Sequence, residues 1–356
     1  MENRPNAVDI PTSWSQTERS RLDFIQGLIS GSSSLLRPVV NDLYTRKAAE
    51  FEAERGEEPS SSDDVSALMD DATVVRYLRF LRRKSQDMKW VGLEQWLGPC
   101  EEELDQWMEE APGGEAGNLE LNPSLEIPPY FFNGFHHQPG GFAGRPISGL
   151  MYDIGLDVSF AGSHLGVASS VPEGAYQRVL DLGCGSGRST EPFGTRFPEA
   201  EVWGIDPSAP LLRLARVRAA QKGISINYRQ ATGEDTRFAD EHFDLACATI
   251  LFHEVPNDAA SQILEETLRV LKPGGLLVIG DLLPYAAERP FDRWYDEWQV
   301  VHNNEPFFAD AKTRDLPEFC REAGFADVEE RRQGQQQFFG TRSGAQGMAY
   351  VVLARK

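Results

Sequence analysis

Apolar positions recur along this chain with two different periods, and the change of period divides it. From residue 15 to about 110 the spacing is helical. In "SALMDDATVVRYLRFL", Leu68, Ala72, Val75, Leu78 and Leu81 fall on one stripe and predict an amphipathic helix. "GEEPSSSDD" (56–64) reads as a linker whose Ser/Asp end caps the helix that follows. "GPCEEELDQWMEEAPGGEAGN" predicts an acidic helix closed by a Gly-rich break. From about residue 151 the pattern changes: "QRVLDLG", "EVWGID", "ISINYRQ", "HFDLACATILF" and "LLVIGDL" are short apolar runs. Helical stretches such as "PLLRLARVRAAQK" and "DAASQILEETLRVL" lie between them. That alternation predicts an α/β fold, a doubly wound and mostly parallel sheet with helices on both faces. "LKPGG" (271–275) is expected to stop a helix before the last parallel strand, through a left-handed turn at Gly274 and Gly275. "ADVEERRQ" and "AYVVLARK" have no helix between them and predict an antiparallel C-terminal edge.

Three regions follow: a helical one over 1–117, a connector over 118–150, and the α/β domain over 151–356. The connector, "NLELNPSLEIPPYFFNGFHHQPGGFAGRPISGL", holds too much Pro and Gly for regular elements and too many aromatics for a loose tail. It is expected to pack on something. The helical region is a candidate lid, homodimer contact or partner surface.

Charge narrows the partners. A formal net charge of −20 repels phosphate backbones and anionic lipid. "RFLRRK" (79–84) is the one compact basic cluster, and among acidic neighbours it reads as the solvated face of a helix. Neither nucleic acid nor a membrane is the expected partner. No stretch reaches the roughly 20 apolar residues of a membrane span, and "MENRPNAVDIPTSW" lacks the apolar core of a secretion signal. Cys100, Cys184, Cys247 and Cys320 form no ligand cluster, so a reduced cytoplasm is expected and structural zinc is not.

The chemistry concentrates in "VLDLGCGSGRS" (179–189), where Gly183, Gly185 and Gly187 follow a run that reads as a buried strand. Such a loop aims free backbone N–H groups at a ligand and lets it lie against bare main chain. "VWGIDPS" puts Asp206 about one βαβ step later, where a carboxylate can accept both hydroxyls of a ribose. Asp206 could equally cap the next helix.

The order DLGCGSG, GID, "ATGED…FADEHFDLA" and "RVLKPGG" resembles class I S-adenosylmethionine-dependent methyltransferases, most of all the small-molecule branch. The resemblance is strong over about 176–283 and looser beyond. It implies a Rossmann-like, seven-stranded sheet, S-adenosylmethionine as cofactor, and a small-molecule substrate. It also implies that Gly183, Gly185 and Gly187 lie against the methionine part and ribose, with Asp181 near the amino group. Asp206 would hold the ribose hydroxyls, with Pro207 and Ser208 close by. Thr232, Gly233 and Glu234 would flank the adenine, although the acid this family usually carries two residues before the glutamate is here Thr232. Thr249 to His253 would line the reactive end.

His253, in "ILFHEV", is the candidate general base, or a packing and orienting residue. Tyr152 could cross the cofactor's mouth and is the second catalytic candidate. Tyr130, Phe132, His136 and His137 in the connector, with Phe252 and Trp294, are candidates for a substrate pocket, because aromatic faces attract cations such as a sulfonium. The same aromatics could simply pack, and Trp294, Trp298 and His302 at four-residue spacing could be one core-facing helix stripe. His136 and His137 have no carboxylates at ligand spacing, so no metal site is expected. The function implied is methyl transfer by in-line displacement at the sulfonium. Alternatives are cyclisation of S-adenosylmethionine itself to azetidine-2-carboxylate with release of methylthioadenosine, and a non-catalytic binding module.

Overall fold

The computed structural model describes residues 8–12, 15–110, 117–160, 166–332, 348 and 350–356. The N-terminal stretch at 1–7, most of the Gly-rich break after residue 110, and Ala349 of the last predicted strand lie outside the described residues.

Apolar residues at alternate positions bury both faces of the central strands, as expected where helices cover a parallel sheet. In β2 (Arg178–Leu182) and β3 (Glu201–Asp206), Leu180, Leu182, Trp203 and Ile205 enter one core, and Val179 and Val202 the other. β4 (Asn227–Gln230), β5 (Phe243–Thr249) and β6 (Leu271–Gly280) run parallel to these two. β7 (Val328–Arg332) and β8 (Tyr350–Arg355) form the antiparallel edge. Among the described residues the sheet has eight strands, not seven, and with Leu119–Glu120 as β1 their order is β1-β4-β3-β2-β5-β6-β8-β7. The added strand β1 (Leu119–Glu120) comes from the connector and pairs with β4 in parallel. No apolar alternation marks it, because two residues borrow an existing edge.

The helix before "LKPGG", α10 (Asn257–Val270), ends on that segment's first residue, Leu271, as the C-cap, and of the two glycines only Gly274 is left-handed, at φ 77°. The segment opens β6. Chain order reverses beside β2, whose neighbours are β3 and β5, so a crevice opens at the C-terminal ends of these strands.

The helical region also departs from one expectation. The stripe from Leu68 to Leu81 is split between α3 (Ser62–Met69) and α4 (Thr73–Leu97), with Ala72 extended between them. The break resets the helical phase, so Val65, Met69, Val75 and Leu78 are the buried residues. Ser61 caps α3 in a capping box with Asp64. α1 (Gln16–Gly31), α4 and α6 (Ser148–Phe160) share a core with Leu214 and Val217 of α9 (Ala209–Lys222). α2 (Arg37–Arg55), α3 and α4 share another with Phe291, Trp294 and Tyr295 of α11 (Pro290–His302). The basic cluster at 79–84 is not a solvated face. Arg79 pairs with Asp70 at 2.9 Å, Arg82 is buried with its Nη2 donating to Ser33, and Arg83 binds His137.

A buried ionic network fixes α6 and α9 beneath the glycine loop. Asp153 accepts from Arg188 at 2.7 and 2.9 Å and from Arg218 at 3.2 Å, and Arg218 also donates to Glu191 at 2.8 Å. Removing one acid from such a set leaves guanidinium charge stranded in the interior. Asp153→Ala is therefore expected to destabilise the fold by about 3 kcal/mol or more in urea unfolding. A loss below about 1 kcal/mol would make the network ornamental.

Candidate functional site

The glycine loop folds as it does because its three glycines take left-handed backbone conformations, φ 62° at Gly183, 52° at Gly185 and 81° at Gly187. Packing adds to the requirement at two of them. A Cβ on Gly183 would stand 2.8 Å from Leu251, and one on Gly187 2.7 Å from the Tyr228 hydroxyl. Only at Gly185 is there ordinary room, 3.6 Å from the Tyr152 ring. The glycines thus serve the turn and the packing of α9 as well as the open face of the loop.

Asp206, at the end of β3, locks the loop to the next turn. Its Oδ2 accepts from the Gly185 N–H at 3.0 Å and its Oδ1 from the Ser208 N–H at 2.8 Å. Ser208, not Asp206, caps α9, accepting from the Leu211 N–H at 3.2 Å. Burial raises the Asp206 carboxyl to about 6. Asp181, one strand over, is raised by burial to about 7, although Ser189 and Thr190 each donate to its Oδ2 at 2.7 Å. Its Oδ1 is buried and meets no partner.

The connector crosses this crevice. Ser208 Oγ donates to the Phe142 carbonyl at 2.5 Å, the Asn122 N–H to Gln230 Oε1 at 2.9 Å, and Gln230 Nε2 to the Pro207 carbonyl at 2.9 Å. Tyr130 donates to Glu234 Oε1 at 2.6 Å. Phe142 stacks on Phe135 and meets the Tyr152 ring edge-on at 5.3 Å, so aromatic rings reach from the connector to the face of Gly185. Burial pushes the Tyr152 phenol above its ordinary range, so it stays protonated. Glu234 Oε2 and Thr249 Oγ1 are buried without partners. Thr232 is occupied locally, accepting from the Asp235 N–H at 3.2 Å. Gly233 is close-packed, since a Cβ there would come 2.9 Å from Ile263.

Beyond β5 the side chains form a chain of acids and imidazoles. His253 Nδ1 lies 2.8 Å from Asp281 Oδ1, and its Nε2 lies 3.6 Å from Glu254 Oε1. His136 Nε2 lies 3.1 Å from that same Glu254 oxygen, and His136 Nδ1 lies 2.8 Å from Glu305 Oε1. Burial alone would depress the His253 imidazole, but Asp281 outweighs it and raises the value to about 9. His136, in a left-handed conformation at φ 55°, is opposed by burial and raised by Glu305 and Glu254 to about 10. The two acids are the partners that local spacing did not offer His136: they arrive from 118 and 169 residues away (254−136 and 305−136).

Several expected pocket residues go elsewhere. Phe132 is 60% exposed, with its ring edge-on to Phe131. Trp294 is 4% exposed in the helical core, with Nε1 donating to Asp70 at 2.9 Å. Phe252 belongs to the core under the sheet, and His137 binds Arg83 and faces the His302 carbonyl. The Trp298 and His302 rings on α11 lie 5.8 Å apart and tilted by 38°. Sequence reasoning missed Asp281, Glu254, Glu305, Phe142 and Phe307, whose ring meets Tyr130 and Phe135. Asp281 was within reach, standing directly after a buried strand; Glu305 carried no signal.

The chain is similar to known proteins in sequence and in fold. Residues 179–275 match the model of a methyltransferase domain. A ubiquinone biosynthesis O-methyltransferase of Cereibacter sphaeroides is 32% identical over 162 residues, 43% of this chain and 62% of that protein. One of a Bradyrhizobium species is 41% identical over 105 residues, 30% of this chain and 40% of that protein. The chain therefore spans under two thirds of the length of these relatives. A solved structure from Nostoc punctiforme, bearing a provisional O-methyltransferase designation, superimposes with a TM-score of 0.50 at 16% identity. It covers 97% of this chain and all of its own, a likeness of fold. The family likeness is thus to methyltransferases, and it lies in residues 179–275.

The His253–Asp281 contact predicts its own titration. The imidazole should keep its proton up to about pH 9, and in Asp281→Asn it should lose it at least about one pH unit lower. Imidazole NMR across a pH series measures both values; equal values would exclude Asp281 as the cause.

Proposed function

We propose that this chain transfers a methyl group from S-adenosylmethionine to a small-molecule acceptor, with a hydroxyl oxygen as the accepting atom. The observation that carries the reading is the Asp206 lock on the glycine loop beneath a connector that closes the crevice with aromatic rings. Buried atoms without partners, Asp181 Oδ1, Glu234 Oε2 and Thr249 Oγ1, fit a polar ligand lying along the strand ends. Asp181 would hold the amino group, Asp206 the ribose hydroxyls, and the turn at Thr232–Glu234 the adenine. When bound, the cofactor supplies a methyl group already activated by its positive sulfur. The chain's task is alignment and exclusion of water, which Phe142 and Tyr152 perform at the mouth. Oxygen as acceptor is favoured by the O-methyltransferase relatives over the matched segment.

At neutral pH the His253 imidazole is protonated and paired with the Asp281 carboxylate, and it orients Glu254 rather than taking a proton itself. The residue before it, Phe252, supports the turn from the core.

Two outcomes test the reading. Asp206→Ala is expected to weaken binding of S-adenosylmethionine by about 10- to 100-fold in calorimetry, and unchanged affinity would dismiss it. Binding should also depend on pH with a definite sign. Protonated acids at these positions neither pair with an ammonium nor accept fully from hydroxyls. Affinity should therefore fall as pH drops through about 7 and then about 6, by up to roughly tenfold per pH unit for each group. The fold itself responds oppositely. Because both values are raised, the stability these acids contribute is full below their unfolded values and is lost as pH rises through 6 to 7. With a hydroxylated acceptor the products are the methyl ether, S-adenosylhomocysteine and the hydroxyl proton, released to solvent; methylthioadenosine would replace this reading by cyclisation.

A further inference from the structure

We propose that His136, Glu254 and Glu305 bind a divalent first-row metal ion. One ligand atom from each lies within 4.8 Å of the other two. The three come from unrelated parts of the chain: the connector, the turn after β5, and the turn after α11. In the ion-free protein a protonated His136 bridges the two carboxylates, a net −1; a divalent ion that takes an imidazole nitrogen as ligand displaces that proton to solvent, and the two carboxylates then balance its charge.

The second observation is what the acids leave unpaired. Oε2 of Glu254 and Oε2 of Glu305 are both buried and meet no hydrogen-bond donor. Glu305 is 3% exposed, so water does not reach its carboxylate from outside. Buried polar groups are ordinarily satisfied, and two acids meeting at one imidazole, each with an idle oxygen, is the arrangement a missing cation explains. Around them the supports are in place. Asn303 Nδ2 donates to Glu305 Oε1 at 2.9 Å and lies 3.3 Å from His136 Nδ1, while Gln86 donates to the Asn303 carbonyl. Such outer contacts fix ligand orientation in metal centres.

The donor set selects the ion. One imidazole nitrogen with two carboxylates suits manganese, iron(II) or zinc; magnesium and calcium prefer all-oxygen sites, and no thiolate is present to favour copper(I). The site stands beside the aromatic mouth, since the His136 ring is 6.2 Å from Phe142, which in turn meets Tyr152. Metal uptake as such does not depend on the proposed methyl transfer.

The test uses the full chain, free of tags and stripped by chelator, titrated at pH 8 with Mn2+ by electron paramagnetic resonance and with Zn2+ by calorimetry. One ion per chain is expected, with Mg2+ failing to compete at equal concentration. His136→Ala and the near-isosteric Glu305→Gln should each weaken uptake at least about tenfold. Glu329→Gln, an exposed acid on β7, should leave it unchanged. Circular dichroism of each variant establishes that it is folded. Absence of saturable uptake, or uptake equal in the folded Glu305→Gln variant, overturns the site. Binding of S-adenosylmethionine measured on the same samples separates the two readings: its loss with metal uptake intact defeats only the proposed function, and the reverse result only the metal site.

Discussion

The Asp206 carboxylate joins two turns that would otherwise be independent. One oxygen holds the glycine loop through the Gly185 N–H, the other the entry to α9 through the Ser208 N–H. Both turns end at the same crevice, so a single buried side chain sets the spacing of the strand ends around it. The cost is a charge held away from water, visible in a carboxyl raised to about 6. A ligand offering hydroxyls or positive charge offsets that cost, so the protein's least comfortable atoms are the ones its proposed ligand meets.

The connector is tied across the C-terminal ends of the strands. It begins as a strand beside β4, ties itself to Gln230, Glu234 and Ser208, and lays Phe142 against Tyr152. These anchors sit at the ends of two neighbouring strands, β3 and β4, so the segment needs no core of its own. The helical region then supports it from behind, with Trp90 donating to the His136 carbonyl at 2.7 Å and Arg83 reaching His137. Its helices share apolar cores with α9 and α11, which makes it a buttress for the lid.

The excess of acids is spent in two ways. Much of it faces solvent, but Asp153, Asp181, Asp206, Asp281 and Glu305 are buried. Inside, Asp153 meets guanidinium from Arg188 and Arg218, Asp281 and Glu305 meet imidazole, and Asp181 and Asp206 accept from hydroxyls and backbone N–H groups. The first arrangement fixes helices under the loop. The second gathers beside the mouth, where two oxygens remain unpaired. Among the described residues no helix is long and apolar enough to cross a membrane.

What the sequence determined by itself was whatever is local. Alternating apolar runs and helical stretches established the doubly wound sheet, because period and burial on both faces follow from neighbouring residues. The glycine loop and Asp206 were legible for the same reason: left-handed turns need glycine, and the acid lies one βαβ unit on. Ser61 at the head of α3 was a capping signal within four residues. Tertiary structure alone decided the rest. The two-residue β1 had no period to display, the stripe from Leu68 to Leu81 concealed a break at Ala72, and Trp294 met Asp70 from 224 residues away. His136 looked solitary because its acids, Glu254 and Glu305, are near only once the lid has closed over the strand ends. Contacts of that kind depend on chain crossings between distant segments, which spacing along a sequence does not record.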